Sequence, residues 1–343
     1  MTHPAADGPR DYGRGGRRNS RVVDGPASML GTGVVVLLLV LGLTLVLARY
    51  CPSDGRIPTV LTSLVSWAVP LLLLAGIGGA LLLRVVRRIA LVILVVSGVA
   101  LVQLGYWLAP AYVGGHAHGR PDLTVMELNA HFGLADPRTT VALARRTTAD
   151  VLVMTEITPY ELVRLRSAGL SRVLPFESGL PEPSRYGVMA FSRYPLSTGE
   201  PLAVSRGGWI TRVAAPRPFT MIIGHAGQPL VDAPGWARDL AVLRGAVTRT
   251  AGPCLVAGDL NATVQNRPLR QLMSAGLRDA AEEADSGWQP TWPGDAGPPL
   301  LRRIGLVAID HVLLDRSFEA IRTSTAAVPG TDHRALVVQL ADE

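Results

Sequence analysis

Three stretches of this 343-residue sequence carry no charged side chain and are each long enough to cross a bilayer: 29–48, a second within 57–83 (about 60–83), and 89–108. A helix needs about 20 predominantly apolar residues to span the hydrocarbon layer. Three runs of that length in the first third of the chain predict three transmembrane helices, and core helices of a soluble domain do not need such composition. The Arg distribution orients them. Arg10, Arg14, Arg17, Arg18 and Arg21 precede the first span, and Arg84, Arg87 and Arg88 separate the second from the third. The loop between the first and second holds only Arg49 and Arg56. The positive-inside rule then places the N-terminus in the cytoplasm and, after an odd number of spans, everything beyond Leu108 outside it. Tyr50, Tyr106 and Trp107 suit an outer aromatic belt.

The same bias explains the net charge of +6, which would otherwise hint at nucleic acid. Residues 1–119 hold ten Arg against four Asp, whereas residues 120–343 hold 23 Arg against 23 acidic residues. A protein that tracks a long polyanion concentrates its surplus on the binding domain; here the surplus belongs to the apolar part. Lysine is absent, a coding bias of a GC-rich genome. Two cysteines far apart, Cys51 and Cys254, exclude a disulfide framework and a cysteine-rich zinc site. Tyr50 occupies the position where a lipoprotein signal needs a small residue.

Residues 1–28 read as a disordered, basic cytoplasmic arm. Residues 29–109 hold the three spans. Residues 110–121, rich in Gly and Pro, read as a linker; the His116–His118 pair in it lacks a nearby third ligand and reads as a loop accident. Residues 122–343 form the remaining domain. Short β-rich runs alternate there with helical stretches, which implies sheets buried between helices.

Polar residues cluster at the strand ends. Asn129 ends LTVMELN, Glu156 follows DVLVMT, His225 follows FTMIIG, and Asp259 and Asn261 follow CLVAG. Asp310 and His311 lie in an otherwise apolar run, and Asp332 and His333 precede the last one. If these ends converge on one rim, they form a single polar site. Carboxylate and amide oxygens suit a hard divalent cation, so Glu156 and Asn129 are natural Mg²⁺ (or Mn²⁺) ligands. The metal would polarise a phosphoryl oxygen, and a carboxylate–imidazole pair would handle the proton of an attacking water. Taken alone, each residue has a plainer reading: Asp259 and Asn261 as a turn and cap, His311 as structural, His131 as a loop residue, and Trp236, Trp288 and Trp292 as packing groups.

The set ELN, VLVMTE, GH, GDLNAT, AIDHVLL and GTDHRAL, in that order over about residues 123–340, resembles the endonuclease/exonuclease/phosphatase superfamily. The resemblance implies a four-layer αββα sandwich, two mixed sheets flanked by helices. It also implies Glu156 as principal metal ligand with Asn129 and Asp332 assisting. Asp259 and Asn261 would position or activate water, and His333, oriented by Asp310, would contact the phosphate or act as base. His225 is the second histidine, and Arg193 orders a turn. Asp259 and His333 both remain candidates for the base. Two positions depart from the family pattern: Leu128 replaces an aromatic before Asn129, and Thr155 replaces a Gln before Glu156.

The expected function is a membrane-anchored, divalent-metal-dependent phosphoester hydrolase, a phosphodiesterase before a phosphatase, acting outside the cytoplasm. Its substrate would be a lipid head group, a small phosphodiester or extracellular nucleic acid, the last making it a nuclease. The rival from another class is a catalytically silent, membrane-tethered binding module.

Overall fold

The computed structural model describes residues 26–52, 55–113 and 121–342. The Arg10–Arg21 cluster and the His116–His118 pair lie outside the described residues. Four helices open the described chain: α1 (Pro26–Ala48), α2 (Arg56–Ser63), α3 (Ala68–Leu82) and α4 (Arg87–Leu108). Three segments are long and apolar enough to cross a membrane: Ser28–Ala48, Val65–Leu82 and Arg87–Ala111. They pack through Val35, Leu39, Leu72, Ala75, Ile93 and Leu104, while Leu37, Leu74, Leu81, Val95 and Val102 point outward and are exposed. Helices apolar on both inner and outer faces match a hydrocarbon surrounding.

The second apolar helix starts later than the run from 57 suggests. Residues 56–63 instead form the separate α2, whose Thr59 and Thr62 are buried. Thr59, Thr62 and Ser63 return their hydroxyls to the carbonyls of Gly55, Pro58 and Thr59 at 2.8, 2.8 and 3.1 Å. A single-turn 3₁₀ segment, Val65–Trp67, then leads into α3. The apolar run from 57 is thus divided between two helices, of which only the second is long enough to cross a bilayer.

The remaining elements run β1 (Leu123–Asn129), α5 (Pro137–Arg146), β2 (Val151–Thr155), α6 (Pro159–Ser167), α7 (Leu170–Val173), β3 (Phe176–Leu180), β4 (Val188–Ser192), β5 (Glu200–Pro201), β6 (Gly208–Val213), β7 (Phe219–Gly224) and α8 (Pro229–Arg249). They continue with β8 (Cys254–Asp259), α9 (Arg267–Met273), β9 (Arg278–Asp279), α10 (Ala280–Glu283), α11 (Leu301–Ile304), β10 (Asp310–Leu314), β11 (Phe318–Ala327) and β12 (Arg334–Asp342). Two six-stranded mixed sheets result, ordered β11-β12-β1-β2-β4-β3 and β5-β6-β7-β8-β10-β9. Val125, Val153, Ala190, Met221, Ala257 and Val338 fill the space between them. The opposite face of the first sheet buries Met126, Leu128, Leu152 and Met154 with Val141, Leu143 and Leu165 of α5 and α6. Ile222 and Val256 of the second bury Leu240, Leu243 and Leu269 of α8 and α9. The strands covered on both faces are apolar nearly throughout, as buried strands must be, and the four-layer sandwich is the expected one.

Register places the polar strand ends together. The parallel pair β1–β2 sets Asn129 beside Thr155, one residue before Glu156. β7 and β8 are also parallel, so the exits to His225 and Asp259 share an edge. β10 runs antiparallel to β8 and aligns Asp310 with Asp259. β12 runs antiparallel to β1, which brings His333, just before β12, to the same rim. The apolar run around Asp310 is strand only from Asp310 onward; Val307 makes an isolated bridge to Trp292. Asp310 therefore opens its strand instead of interrupting it.

Candidate active site

Backbone geometry at the rim is specialised. Glu156 and Asn261 adopt φ of 54° and 47°, and His131 and Phe132, just after β1, adopt 47° and 57°. Left-handed conformations at residues with side chains cost energy and persist where surroundings hold them, commonly at functional sites. Here they aim groups inward: the Phe132 amide donates to Glu156 Oε2 at 3.0 Å, and the His131 amide donates to Asn129 Oδ1 at 2.8 Å. Gly258, at φ 142°, is required by close approach, because a Cβ there would lie 2.0 Å from the Gly224 carbonyl oxygen. That contact lets β7 and β8 deliver His225 and Asp259 side by side.

Asp259, Asp310 and His333 form a buried chain. His333 Nδ1 lies 2.8 and 3.1 Å from the two Asp310 oxygens, and its Nε2 lies 3.7 Å from Asp259 Oδ2. Asp259 Oδ2 accepts from Asn129 Nδ2 and Oδ1 accepts from the Asn261 amide, both at 2.9 Å. Asn261 Nδ2 donates to the Ala226 carbonyl at 3.0 Å. Thr291 Oγ1 accepts the Asp310 amide at 3.1 Å, and Thr331 Oγ1 accepts the His333 amide at 3.0 Å. Burial by itself would lower the His333 pKa, but the carboxylates of Asp310 and Asp259 outweigh it and raise it to about 10. Burial, and then the charge of Asp310, push Asp259 up to about 7.

His225 differs. Its Nδ1 lies 3.1 Å from the Arg185 carbonyl, which fixes the proton on Nδ1 and leaves Nε2 as an acceptor facing the site. That Nε2 lies 3.4 Å from Arg206 Nη1, 3.6 Å from Asp259 Oδ2 and 3.7 Å from Glu156 Oε1. Burial and the neighbouring Arg206 hold its pKa well below the ordinary value. The two imidazoles are thus driven apart: His333 charged, His225 neutral.

Asp332 lines the same cleft, but its oxygens meet His131 Nδ1 at 2.5 Å and Trp292 Nε1 at 3.2 Å. Trp292, read from sequence as a packing group, therefore borders the site. Trp236 is fully buried and donates to the Leu260 carbonyl at 3.0 Å, while Trp288 meets Trp67 edge-on. His311 turns away, bonding Asp279 at 2.6 Å and the Ala262 carbonyl at 2.7 Å. Arg193 joins Asp150 at 3.3 Å and the Thr148 carbonyl at 3.4 Å at a turn. Sequence reasoning missed Arg206, which is buried at the site 3.9 Å from Glu156 Oε1. Its only signal is an Arg in a Ser-Arg-Gly-Gly loop before a strand, a weak one. Glu127, also missed, lies buried beneath the site; burial and the charges of Asp310 and Asp259 raise its pKa well above the ordinary value.

Among the described residues, Asp259, Asp310 and His333 meet the spacing of a metal-binding group. Hydrogen bonding argues for another location, because both Asp310 oxygens already face His333 Nδ1. Among the described residues Glu156 Oε1 has the distant Arg206 and His225 opposite it, His225 Nε2 also reaches Asp259, and Asn129 is bonded to Asp259. This oxygen-rich donor set fits a hard divalent cation.

The sequence profile of the Endonuclease/Exonuclease/phosphatase family matches residues 126–333. No curated protein matches the chain. Among solved structures, D. rerio TDP2 complexed with a single-strand DNA product is 14% identical and superposes with a TM-score of 0.54, covering 64% of this chain and 98% of that one. An AP endonuclease from Archaeoglobus fulgidus is 12% identical with a TM-score of 0.53, covering 64% and 99%. Truncated Caenorhabditis elegans TDP2 is 14% identical at a TM-score of 0.50, covering 64% and 97%. At these identities the likeness concerns the fold.

Proposed function

The chain belongs to the endonuclease/exonuclease/phosphatase family, and from that membership we propose that it is a divalent-metal-dependent phosphodiesterase, anchored in a membrane by its three apolar helices, with residues 122–343 as a catalytic domain outside the cytoplasm. The observation that carries the reading is the Asp310–His333–Asp259 chain, whose His333 and Asp259 line one cleft with Glu156 while Asn129 donates to Asp259. Glu156 and Asn129 would hold the cation, and Asp332, which lines the same cleft, would assist. When bound, a Mg²⁺ or Mn²⁺ ion supplies charge that stabilises the phosphoryl group.

The chain's own groups do the rest. Asp259, poised near neutrality between two amides, orients the attacking water and takes its proton. The water oxygen forms its bond to phosphorus as the ester P–O bond on the opposite side breaks. His333 Nε2–H, kept charged by Asp310, donates to the phosphoryl group or the departing oxygen. Neutral His225 and cationic Arg206 border the phosphate, and Asn261 shapes the Asp259 turn. Against a silent binding module stands the complete set of Glu156, His225, Asp259 and His333 at one site.

The test uses the purified full chain with bis(4-nitrophenyl) phosphate. Hydrolysis should require Mg²⁺ or Mn²⁺, and Glu156→Ala should abolish both turnover and metal binding measured calorimetrically. Undiminished turnover in excess chelator would overturn the reading.

A further inference from the structure

The catalytic cleft is not built by the catalytic domain alone. Val60, Ser63 and Leu64, between the first and second apolar helices, line a cavity of about 420 Å³ together with Glu156, Asp259 and His333. Polar contacts hold this segment in place. Asn266 donates to the Thr59 carbonyl at 3.1 Å and accepts from Ser63 Oγ at 3.0 Å. Arg56 donates to the Val231 carbonyl at 2.8 Å, Arg49 to Gln265 Oε1 at 2.7 Å, and Trp67 Nε1 to the Leu306 carbonyl at 2.9 Å. The far end of the third apolar helix joins the same face, where the Gly287 amide donates to the Ala111 carbonyl at 2.7 Å. The catalytic domain therefore sits on the helix ends at residues 48–67 and 107–112, and its cleft opens against them.

The cleft has two chemistries. Glu156, Arg185, Arg206, Asp259 and His333 give it a polar lining; Val60 and Leu64 from the helix ends, with Leu230, Leu306 and Val307, give it an apolar one. Leu230, Val231 and Ile57 are 62%, 60% and 73% exposed, at the level where the apolar helices end. Beyond Ser63 a second cavity of about 380 Å³ lies between the helix ends and the domain, lined by Trp67, Leu108, Tyr112, Trp288 and Ile304. A solvated oligonucleotide gains nothing from such an apolar lining. A phosphate joined to an alkyl chain fits both parts: the anion at Arg206 and Arg185, the chain along the apolar residues.

We propose that α2 is part of the substrate site, and that the site takes a phosphoester carried by a lipid of the adjoining leaflet, entering sideways from the bilayer. This rests on the hydrolase reading above. Water attacks phosphorus and the P–O bond to the lipid breaks, releasing the phosphorylated head group on one side and, on the other, the lipid alcohol, whose oxygen takes the proton of His333 Nε2–H while Asp259 takes that of the water.

The experiment uses the full chain in nanodiscs, with bis(4-nitrophenyl) phosphate turnover in Mg²⁺ or Mn²⁺ as the readout. Dioleoyl phosphatidic acid in the disc, glycerol 3-phosphate in solution and a single-stranded oligonucleotide are offered as competitors. We expect phosphatidic acid to compete at a concentration at least tenfold below that of glycerol 3-phosphate. Leu230→Asp, at an exposed position where folding is not at stake, should reduce that preference at least fivefold, and Val60→Asp should do the same. Equal competition by the two phosphates overturns the lipid inference and leaves the hydrolase reading standing. Stronger competition by the oligonucleotide overturns it in favour of nucleic acid. Absence of aryl ester turnover with either metal overturns both.

Discussion

His333 stands at the junction of two carboxylates, and its charge is what the site spends its buried hydrogen bonds to keep. His333→Ala should lower kcat by about 10²–10⁴-fold, the usual worth of a positioned proton-transfer group. Asp310 acts through His333 and is a positioning residue. Asp310→Asn removes the nearest charge that raises the imidazole pKa, so the alkaline limb of the kcat/KM profile should move to lower pH. A loss of activity without that displacement would make Asp310 merely structural. Glu161 offers a test away from the site. Its side chain is buried against Arg164 Nη1 at 2.8 Å with Oε1 unpartnered. Burial raises its pKa to about 7, against the pull of Arg164. The folded state thus keeps a proton that the unfolded chain releases near pH 4.5, so the associated stability is full below that pH and is lost as pH rises through about 7. Glu161→Gln should remove this dependence: between pH 5 and 8 the wild-type Tm should fall by a few degrees relative to the variant.

The loops between elements set the site as firmly as its side chains do. The loop before β10 wraps the approach to β12, with the Gly294 amide donating to the Asp332 carbonyl at 2.5 Å. A Cβ on Gly294 would lie 2.2 Å from the His333 carbonyl oxygen and 2.8 Å from its amide nitrogen. Gly294→Ala should therefore displace the His333 segment and cut kcat by at least about tenfold, since an error near 1 Å in catalytic geometry costs on that scale or more. Thermal unfolding should also move to lower temperature, since the clash is with backbone, and a variant of full activity would show that the segment yields without moving the imidazole. The same scale explains what periodicity missed. β11 alternates buried and exposed residues at a sheet edge, and its FEAIRTSTAA sequence carries too weak an apolar signal to stand out. α2 was absorbed into the second apolar run because hydropathy averages over its hydroxyl groups, which the tertiary contacts with Asn266 single out.

At the scale of the whole molecule, the prediction is topological. A phosphatase reporter that is active only outside the cytoplasm, fused after Glu343, should be active, and fused within the loop at Arg84–Arg88 it should be silent. The opposite pattern would reverse the orientation. What the sequence alone determined is everything written in local pattern or in motif order. Uncharged length marked the three apolar helices, and six ordered motifs marked the sandwich and the polar strand ends. The separation of charge between residues 1–119 and 120–343 was equally legible. What only the tertiary structure decided depends on groups far apart in the chain. Arg206 enters the site because packing brings the loop before β6 within 3.9 Å of Glu156 and 3.4 Å of His225. Asp332 turns to His131 and Trp292, and Val60 and Leu64 become walls of the cleft. The reason is physical. Charge and hydropathy are properties of residues and survive in any conformation, whereas a hydrogen-bond partner or a cleft wall exists only once packing has brought distant segments within a few ångströms.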